Sequence, residues 1–372
     1  MFLPELPSAL DSNSSFSFVL PGSVYNATPP RIIFGVGSSE GLADEVLRLG
    51  KSKALVVCTP GRRAMGEEVA KRLGHLCAGV MAEAVSQVPI ALAHRGQKLA
   101  KELGADCLIS IGGGASIGLG KGISLELGLP IIAVPTTYSG SEMTGFCGIT
   151  IDNVKVMHKS LNMLAHTVIY DPILTKDLPL NVSAASALNA LAHCIDGVYV
   201  SSISPLLRPS AAIGASSVIN GIRRVWSDPH DISARSELLY GAFLSGAVLT
   251  GGFALQHGLA HTLGGSFGVP HGDAHAVVLP YVTAYNSIFS PKEMKVVAEA
   301  LNVTNLAGTI YDLLIELELP TRLGEVGISD TDINRIVDIT VETDNGANPG
   351  PVTHESVHGI LLSAYRGNRP LQ

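Results

Sequence analysis

The chain has 372 residues, a formal net charge of −7, 46% hydrophobic residues and only 15% charged residues. A chain this long and this apolar can bury the cores of two ordinary domains, which excludes an intrinsically disordered protein. The negative charge and the lack of any Lys/Arg-rich run exclude nucleic acid and anionic membranes as expected partners, because both attract clustered cations.

The first 18 residues, which begin MFLPELPSALDSNSSF, are expected to form a flexible N-terminal arm. They have neither the basic n-region nor the long apolar core of a secretory signal. No stretch of about 20 apolar residues, free of charge and of Gly or Pro, indicates a membrane span. The five cysteines are odd in number and lack C-x-x-C spacing, which is typical of free thiols in a reducing compartment. We therefore expect a cytoplasmic protein.

Short β-branched runs alternate with helical patterns from residue 30 to about residue 170. The strand-like runs are RIIFGVG, KALVVCTP, CLISIGGG and PIIAVPTT, and the helical patterns include GLADEVLRLG and EEVAKRLG. Alternation at this spacing predicts parallel βαβ units whose strands are buried on both faces. We expect residues 19–174 to form an α/β domain.

After about Asp171, β-rich runs almost disappear and helical runs rich in Ala, Leu and Gly replace them. The clearest are VSAASALNALAHCIDGVY, ARSELLYGAFLSGAVLTGGFALQHGLAHTLGG and THESVHGILLSAYRG, and each is predicted to be a helix. The segment DPILTKDLPLN, which contains two prolines, indicates the boundary. Residues 175–372 are therefore predicted to form an all-α domain, with a ligand site in the cleft between the two domains.

The stretch LISIGGGASIGLGKG follows a predicted buried strand and begins a helix. Three consecutive glycines permit positive φ angles and close approach of amide groups to a ligand, and the helix start supplies free N–H donors. The spacing departs from G-x-G-x-x-G, so a tight turn without a ligand is the alternative. The stretch PTTYSGSEMT ends another strand and would reach the same crevice, which favours a pyrophosphate site. The candidate cofactor-binding residues are Thr59, Gly112, Gly113, Gly114, Ser116, Thr136, Thr137 and Ser141.

Histidines recur at helical spacing in the second half of the chain. His257 and His261 lie four residues apart in QHGLAHTLGG, and His271 follows in VPHGDAH. This spacing is a metal-ligand pattern, but no Glu follows the first His, so a zinc-protease site is not predicted. Asn189 and His193 are also four residues apart and share one face of a buried helix. A lone histidine would be an ordinary core residue, whereas four on three segments indicate a functional site.

The order of GGGAS, GKG, PTTYSGSEMT, VIYDPILT, NALAHCID, HGLAHTLGG and PHGDAHAVVLP over residues 30–368 resembles the iron-containing alcohol dehydrogenase superfamily. Within it, PTTYSGSEMT and the tail NPGPVTHESVHGILLSAYRGNRP are most similar to the maleylacetate reductases. The resemblance implies a dehydroquinate-synthase-like architecture, with a dinucleotide-binding α/β domain over residues 19–174 and an all-α substrate and catalytic domain over residues 175–372. It also implies hydride transfer from NADH or NADPH in the cleft, a small-molecule substrate and a homodimer.

The metal-dependent members of the superfamily hold Fe²⁺ or Zn²⁺ with an Asp and three His. By resemblance, those positions are Asn189, His193, His257 and His271 in this chain. An amide nitrogen does not ligate a metal ion and an amide oxygen is a weak donor, so the site loses a charge and most of its affinity. Maleylacetate reductases resemble this chain in carrying Asn there and work without a metal, which implies a metal-free site.

Without a metal ion, histidines must polarise the carbonyl group and deliver a proton, and an unperturbed pKa of about 6.5 suits them to both tasks. We expect His193 and His257, beside Asn189, to bind and polarise the substrate oxygen. His271 or His261 would relay the proton, and the sequence leaves the choice between these two open.

Lys155 stands sixteen residues before Asp171, where the superfamily often has a lysine that contacts the nucleotide. It is expected to bind a phosphate or the nicotinamide side, and a solvated lysine is the alternative. After the strand ALVVCTP, the residues GRR offer two arginines and no carboxylate for a free ribose 2′-hydroxyl. This composition indicates that NADPH is accepted as well as NADH.

Two departures concern the substrate. Maleylacetate reductases typically have a His-Lys pair where this chain has His257 and Gly258, and an Arg-rich stretch where it has HKSLNMLAH. Without these cations, the maleylacetate dianion loses charge-assisted hydrogen bonds. Lys159 is expected to replace one of the missing cations. The leading hypothesis is a metal-free NAD(P)H-dependent reductase of maleylacetate or a related unsaturated keto compound. The alternatives are a metal-dependent alcohol dehydrogenase and a diverged non-redox lyase, isomerase or cyclase.

Overall fold

The computed structural model describes residues 30–152, 154–200, 202–204 and 207–371. The predicted N-terminal arm, residues 1–18, lies outside these ranges. A parallel sheet with its helices comes first in the chain and a helical part follows, which confirms the predicted fold class. All five cysteines are free, as predicted. Among the described residues, no helix is both long and apolar enough to cross a membrane.

Six parallel strands form the central sheet, in the spatial order β1, β8, β5, β4, β2, β3, and β6 pairs with β7 in a separate antiparallel hairpin. Every residue of β2, β4, β5 and β8 is buried, which explains their continuous apolar runs. The bounds are β1 Arg31–Phe34, β2 Ala54–Cys58, β3 Cys77–Ala82, β4 Cys107–Gly112, β5 Ile131–Pro135, β6 Phe146–Ile151, β7 Val154–Lys159 and β8 Thr167–Tyr170.

Four helices accompany the sheet. The alternation of strands and helices agrees with the sequence pattern, but the hairpin was not predicted, because most of β7 is exposed or half-buried and carries polar residues. Helix α4 begins directly after the first two glycines of the loop. The bounds are α1 Leu42–Arg48, α2 Arg63–Leu73, α3 Ile90–Leu103 and α4 Gly114–Leu127.

Nine helices of the described residues form the second part of the chain. The run that was predicted as one helix from residue 234 to residue 265 is instead two helices, α7 and α8, separated by residues 250–254. The break contains Gly252, whose φ of +121° is inaccessible to a helix. The bounds are α5 Leu180–Tyr199, α6 Arg208–Ser227, α7 Ile232–Leu249, α8 Leu255–Phe267, α9 His271–Phe289, α10 Pro291–Ala300, α11 Leu306–Glu316, α12 Ile333–Glu342 and α13 His354–Arg366.

The strand order reverses beside β2, since β3 lies on one side of it and β4 on the other. In open parallel sheets, ligands bind in the crevice outside the carboxyl ends of the strands at such a reversal. Thr59 follows β2 there, and Gly113 follows β4. The topology therefore places Thr59 and Gly113, two of the predicted cofactor-binding residues, at the same edge of the sheet.

Candidate active site

A cavity of about 360 Å³ lies between the first turns of α4, the β6–β7 hairpin and the helices α5, α8 and α9. The fold brings residues from both halves of the chain into its lining. Eight predicted site residues line it, namely Gly114, Ser141, Lys155, Asn189, His193, His257, His261 and His271. The predicted residues that do not line it are Thr59, Gly112, Gly113, Ser116, Thr136 and Thr137.

The glycine loop leaves no room for side chains. Gly112 has a φ of +139°, and a Cβ there would lie 2.4 Å from Oγ of Ser116. A Cβ on Gly113 would lie 2.9 Å from Cγ2 of Thr137. Ser116 and Thr136 are themselves almost fully buried, so they shape the turn and do not project into the cavity. The N–H groups of Ser116 and Ile117 donate to the carbonyl oxygen of Gly113, which leaves those of Gly114 and Ala115 in the first turn of α4 for a ligand.

A chain of short polar contacts runs from Asp196 through two histidines to a backbone carbonyl group. Oδ2 of Asp196 is 2.6 Å from Nδ1 of His257, and Nε2 of His257 is 2.7 Å from Nδ1 of His193. Nε2 of His193 is 3.0 Å from the carbonyl oxygen of Ser139. Two neutral imidazoles supply only two N–H protons to these three contacts, so a third proton completes the chain. The arrangement can therefore take up and return one proton.

Two buried residues of the site, Asp196 and His275, were not singled out in the sequence. Asp196 is fully buried, and the N–H of Ala254 donates to its Oδ2 at 2.7 Å while the hydroxyl of Tyr199 donates to its other oxygen. His275 is also fully buried, with its ring centre 4.6 Å from that of His271 and 4.8 Å from that of His257. Its position four residues after His271 in HGDAH was the available signal.

Four imidazoles of the site, those of His193, His261, His271 and His275, are held in their neutral form. Burial, together with neighbouring positive charge, lowers the pKa of His193, His261 and His275 well below the usual value. Burial also lowers the pKa of His271 to about 3. Any proton that such a histidine gains is readily given up to an acceptor, which suits a group that must return a proton to a substrate oxygen.

The metal-dependent members that this chain resembles hold a divalent metal ion, so the side chains of the cavity are compared with the ligands that such an ion needs. Among the described residues, no group of three or more His, Cys, Asp or Glu converges to hold one. His193 and His257 use facing nitrogens for each other, and residue 189 supplies an amide whose Nδ2 is 3.4 Å from the carbonyl oxygen of Ser139. The site has no carboxylate at that position, so these residues do not fit a metal ion.

Lys121 holds the loop that follows β5. Its ammonium group, almost fully buried, donates to the carbonyl oxygens of Ser141 and Phe146 at 2.5 and 3.0 Å and to Oγ1 of Thr144 at 3.0 Å. Burial lowers the pKa of Lys121 to about 8. The sequence did not single out this lysine, since no spacing rule connects α4 to a loop twenty residues later. It fixes the cavity wall that carries Ser141.

Lys159 does not lie in this cavity. It lines a separate, mostly apolar groove with Ile32, Leu161 and Phe243, so the expectation that it replaces a lost cation at the substrate is wrong. Gly258, where maleylacetate reductases typically have a lysine, has no atom within 4 Å of a Cβ built on it. Any cation for the substrate must therefore come from another residue.

A glycine loop at the switch point of a parallel sheet, facing an imidazole cluster on a helical domain, defines a nucleotide-dependent class of enzyme. The family model for iron-containing alcohol dehydrogenase matches residues 29–172. The model for the C-terminal part of the Fe-containing alcohol dehydrogenase family matches residues 183–365. The chain belongs to the iron-containing alcohol dehydrogenase family, and it is an oxidoreductase.

Individual relatives cover almost the whole chain. The maleylacetate reductase of Burkholderia cepacia is 40% identical over 93% of this chain and 99% of its own length. A structure of a putative alcohol dehydrogenase from Ralstonia eutropha JMP134 is 44% identical, with a TM-score of 0.92 over 94% of this chain and 100% of its own. The maleylacetate reductase structure from Rhizobium sp. strain MTP-10005 is 38% identical, with a TM-score of 0.90 over 94% and 100%.

Proposed function

We propose that the protein is an NAD(P)H-dependent reductase of maleylacetate or a related unsaturated keto acid, and that it works without a metal ion. The observation that carries this proposal is the single cavity lined by both the first turn of α4 and the imidazole cluster. The similarity to maleylacetate reductases supports the substrate class. The non-redox alternative has no support from these relatives, and the amide at residue 189 speaks against the metal-dependent one.

The cofactor is proposed to bind with its pyrophosphate at the start of α4. Gly114 and Ala115 line the cavity there, and the helix terminus favours a phosphate through its N–H groups and its dipole. When bound, NADH or NADPH supplies the hydride for the reduction. Arg62 follows β2 with no carboxylate between Thr59 and itself, which supports the use of NADPH as well as NADH. The other loop residues, Gly112, Gly113, Ser116, Thr136, Thr137 and Ser141, shape this crevice.

The histidines are proposed to act on the carbonyl oxygen of the substrate. His193 lines the cavity, and its Nε2 would exchange its contact with the carbonyl oxygen of Ser139 for the substrate oxygen, with His257 behind it. His261 and His271 also line the cavity, and their rings make no hydrogen bond to any described residue. These two are therefore suited to relay the proton, and Asn189 borders the same space.

The remaining proposals concern organisation. We propose that residues 19–174 and 175–372 act as the two domains and that the enzyme works as a cytoplasmic homodimer. The last strand of the sheet ends at Tyr170 and α5 begins at Leu180, which supports a boundary in this interval. Phe34 on the edge strand β1 and the nearby Tyr240 are exposed aromatic side chains, which supports an interface there.

The test is turnover of maleylacetate by protein that has been stripped of metal with a chelator. Loss of reduced-nicotinamide absorbance is followed with NADH and with NADPH, for the wild type and for His257→Ala. We expect wild-type turnover without added metal, and a kcat about 100-fold lower in the variant, because His193 loses the partner that holds its proton. The matched control is His94→Ala, which removes an exposed imidazole on α3 and leaves kcat unchanged.

Two results would overturn the proposal. One is a wild-type enzyme that turns over only after a metal ion is restored. The other is a His257→Ala variant whose kcat stays within twofold of the wild type.

A further inference from the structure

The lining of the cavity contains basic side chains and no acidic one. Among its described residues, the ionisable groups are two lysines, four histidines and the thiol of Cys147, and neither Asp nor Glu is present. A keto acid is an anion, so its carboxylate needs a cation with a free donor within this lining. Only two side chains, Lys121 and Lys155, are candidates for that cation.

Lys121 is already committed to the protein. Its ammonium group has three donors, and three oxygen acceptors of the loop after β5 lie within 3.0 Å of it. A substrate carboxylate would have to displace one of these acceptors. The side chain of Lys155, in contrast, makes no hydrogen bond or ion pair with any residue that the structure describes.

The position of the Lys155 side chain is set by two glycines. A Cβ on Gly148, in the neighbouring strand β6, would lie 2.2 Å from Cε of Lys155, so the stem of the lysine lies across that glycine. A Cβ on Gly265 would lie 4.0 Å from Cβ of Lys155, so the lysine also approaches α8. Gly265 is four residues after His261 and lies on the same face of that helix. The stem is therefore directed to the histidine side of the cavity.

The electrostatics agree with this placement. Burial is the largest cause of the lowered pKa of His261 and of His271, and the positive charge of Lys155 is the second largest. It is not among the causes that shift the pKa of His193. The positive charge of Lys155 therefore acts more strongly on His261 and His271 than on His193.

We propose that Lys155 binds a carboxylate of the substrate and so sets the specificity of the cavity for keto acids. The inference rests on the proposed function and assigns one contact within it. The carboxylate accepts hydrogen bonds from the ammonium group, which places the keto group of the same molecule toward the imidazoles. The sequence resemblance implies instead that Lys155 contacts a phosphate or the nicotinamide side of the cofactor, and the experiment separates the two assignments.

Lys155→Met removes the charge at similar length, and Lys155→Arg retains it. The matched control is Lys159→Met, four residues further along β7 and outside the cavity. For Lys155→Met we expect the KM for maleylacetate to rise at least tenfold, because a charge-assisted hydrogen bond is lost. The Kd values for NADH and NADPH, measured by fluorescence titration, should stay within twofold. Lys155→Arg should recover part of the KM, and Lys159→Met should match the wild type.

A second measurement does not depend on turnover. Binding of maleate, a dicarboxylate without a keto group, is measured by calorimetry on the enzyme saturated with cofactor. We expect at least tenfold weaker binding in Lys155→Met than in the wild type. If the wild type binds maleate through Lys155 but does not reduce maleylacetate, the proposed function fails while this inference stands.

Three outcomes would overturn the inference. The first is a Lys155→Met variant that binds maleate as tightly as the wild type. The second is a variant whose affinity for NADH and NADPH falls while its KM is unchanged, which would assign Lys155 to the cofactor. The third is a wild type that binds no maleate. The thermal unfolding midpoint of Lys155→Met is recorded beside each measurement, and Lys155→Arg tests the same contact if the Met variant does not fold.

Discussion

Asp196 connects the histidines of the cavity to the interior of the helical part. Its Oδ2 accepts from the N–H of Ala254 at 2.7 Å and lies 2.6 Å from Nδ1 of His257. A carboxylate at that distance holds the proton on Nδ1, so Nε2 of His257 is left as an acceptor for His193. Asp196 does not touch the cavity and acts through His257 alone, which makes it a positioning residue.

Asp196→Asn is expected to lower kcat about 100-fold, because an amide can turn either its oxygen or its NH2 group to His257 and no longer selects the tautomer. The KM for maleylacetate should change less than threefold, since the side chain is outside the cavity. Steady-state kinetics with NADH measures both values. Asp196→Glu retains a carboxylate and should recover part of kcat. A kcat that stays within twofold of the wild type in Asp196→Asn would show that the tautomer of His257 does not matter.

At the scale of elements, glycines allow α6 and α7 to pack with their backbones in contact. A Cβ on Gly221 of α6 would lie 2.7 Å from the backbone nitrogen of Leu238. A Cβ on Gly241 of α7 would lie 2.8 Å from the backbone nitrogen of Val218. Distances this short cannot be relieved by side-chain rotation, because the opposing atoms belong to the backbone. The two glycines therefore set the separation of the two helices.

Gly241→Ala should lower the free energy of unfolding by about 1 to 3 kcal/mol, because the added methyl group overpacks the contact with α6. Gly359→Ala is the matched control, since Gly359 lies in α13 with nothing within 4 Å of its Cβ position. That change should raise the free energy of unfolding by about 0.5 to 1 kcal/mol, through the helix propensity of Ala. Urea denaturation of the three proteins measures both effects. Destabilisation of equal size in both variants would contradict the packing argument.

At the scale of the whole molecule, Arg235 joins the sheet part to the helical part. Its guanidinium group is fully buried and donates to the hydroxyl of Tyr138 at 3.1 Å and to Oγ of Ser183 at 2.8 Å. It also donates to the carbonyl oxygens of Leu178 and Pro229, at 3.2 and 3.1 Å. Tyr138 follows β5, whereas Ser183 lies on α5. One side chain thus links the loop above the sheet, the connecting segment and two helices beside the cavity.

The whole molecule should lose stability as the pH falls below about 6.5. The pKa of each of His193, His261 and His275 is lowered well below the usual value, and that of His271 is lowered to about 3. Below about 6.5 the unfolded chain binds protons that the folded chain does not, so the free energy of unfolding falls with pH. Each histidine that stays neutral contributes about 1.4 kcal/mol per pH unit. The raised pKa values of the buried Glu142 and of Asp273 act in the opposite direction, but they are two groups against four.

Urea denaturation at pH 7.5, 6.5 and 5.5 measures this dependence. The expected result is a steeper fall between pH 6.5 and 5.5 than between pH 7.5 and 6.5. In His271→Gln the slope of the lower interval should be smaller than in the wild type, since one neutral histidine is removed. A free energy of unfolding that is the same at all three pH values would contradict the neutral state of these imidazoles.

The sequence by itself determined the features that depend on local spacing. Short β-branched runs and helical patterns placed the parallel sheet before the helical part, because burial on both faces imposes continuous apolar strands. The glycine triplet and the i, i+4 pairs placed the loop and the histidine faces, because helix geometry makes residues four apart neighbours. The ordered motifs indicated the family. Each of these signals lies within a few residues of chain.

Only the tertiary structure decided which of those faces meet. His193 and His257 are 64 residues apart, and Asp196 and His257 are 61 apart, so no local rule connects them. The helix that was predicted as continuous breaks at Gly252, which turns α8 toward α5. Lys155 lines the cavity, whereas Lys159 of the same strand lines a separate groove. Spacing sets the face of a helix or strand on which a side chain lies, but its partner depends on how distant elements pack.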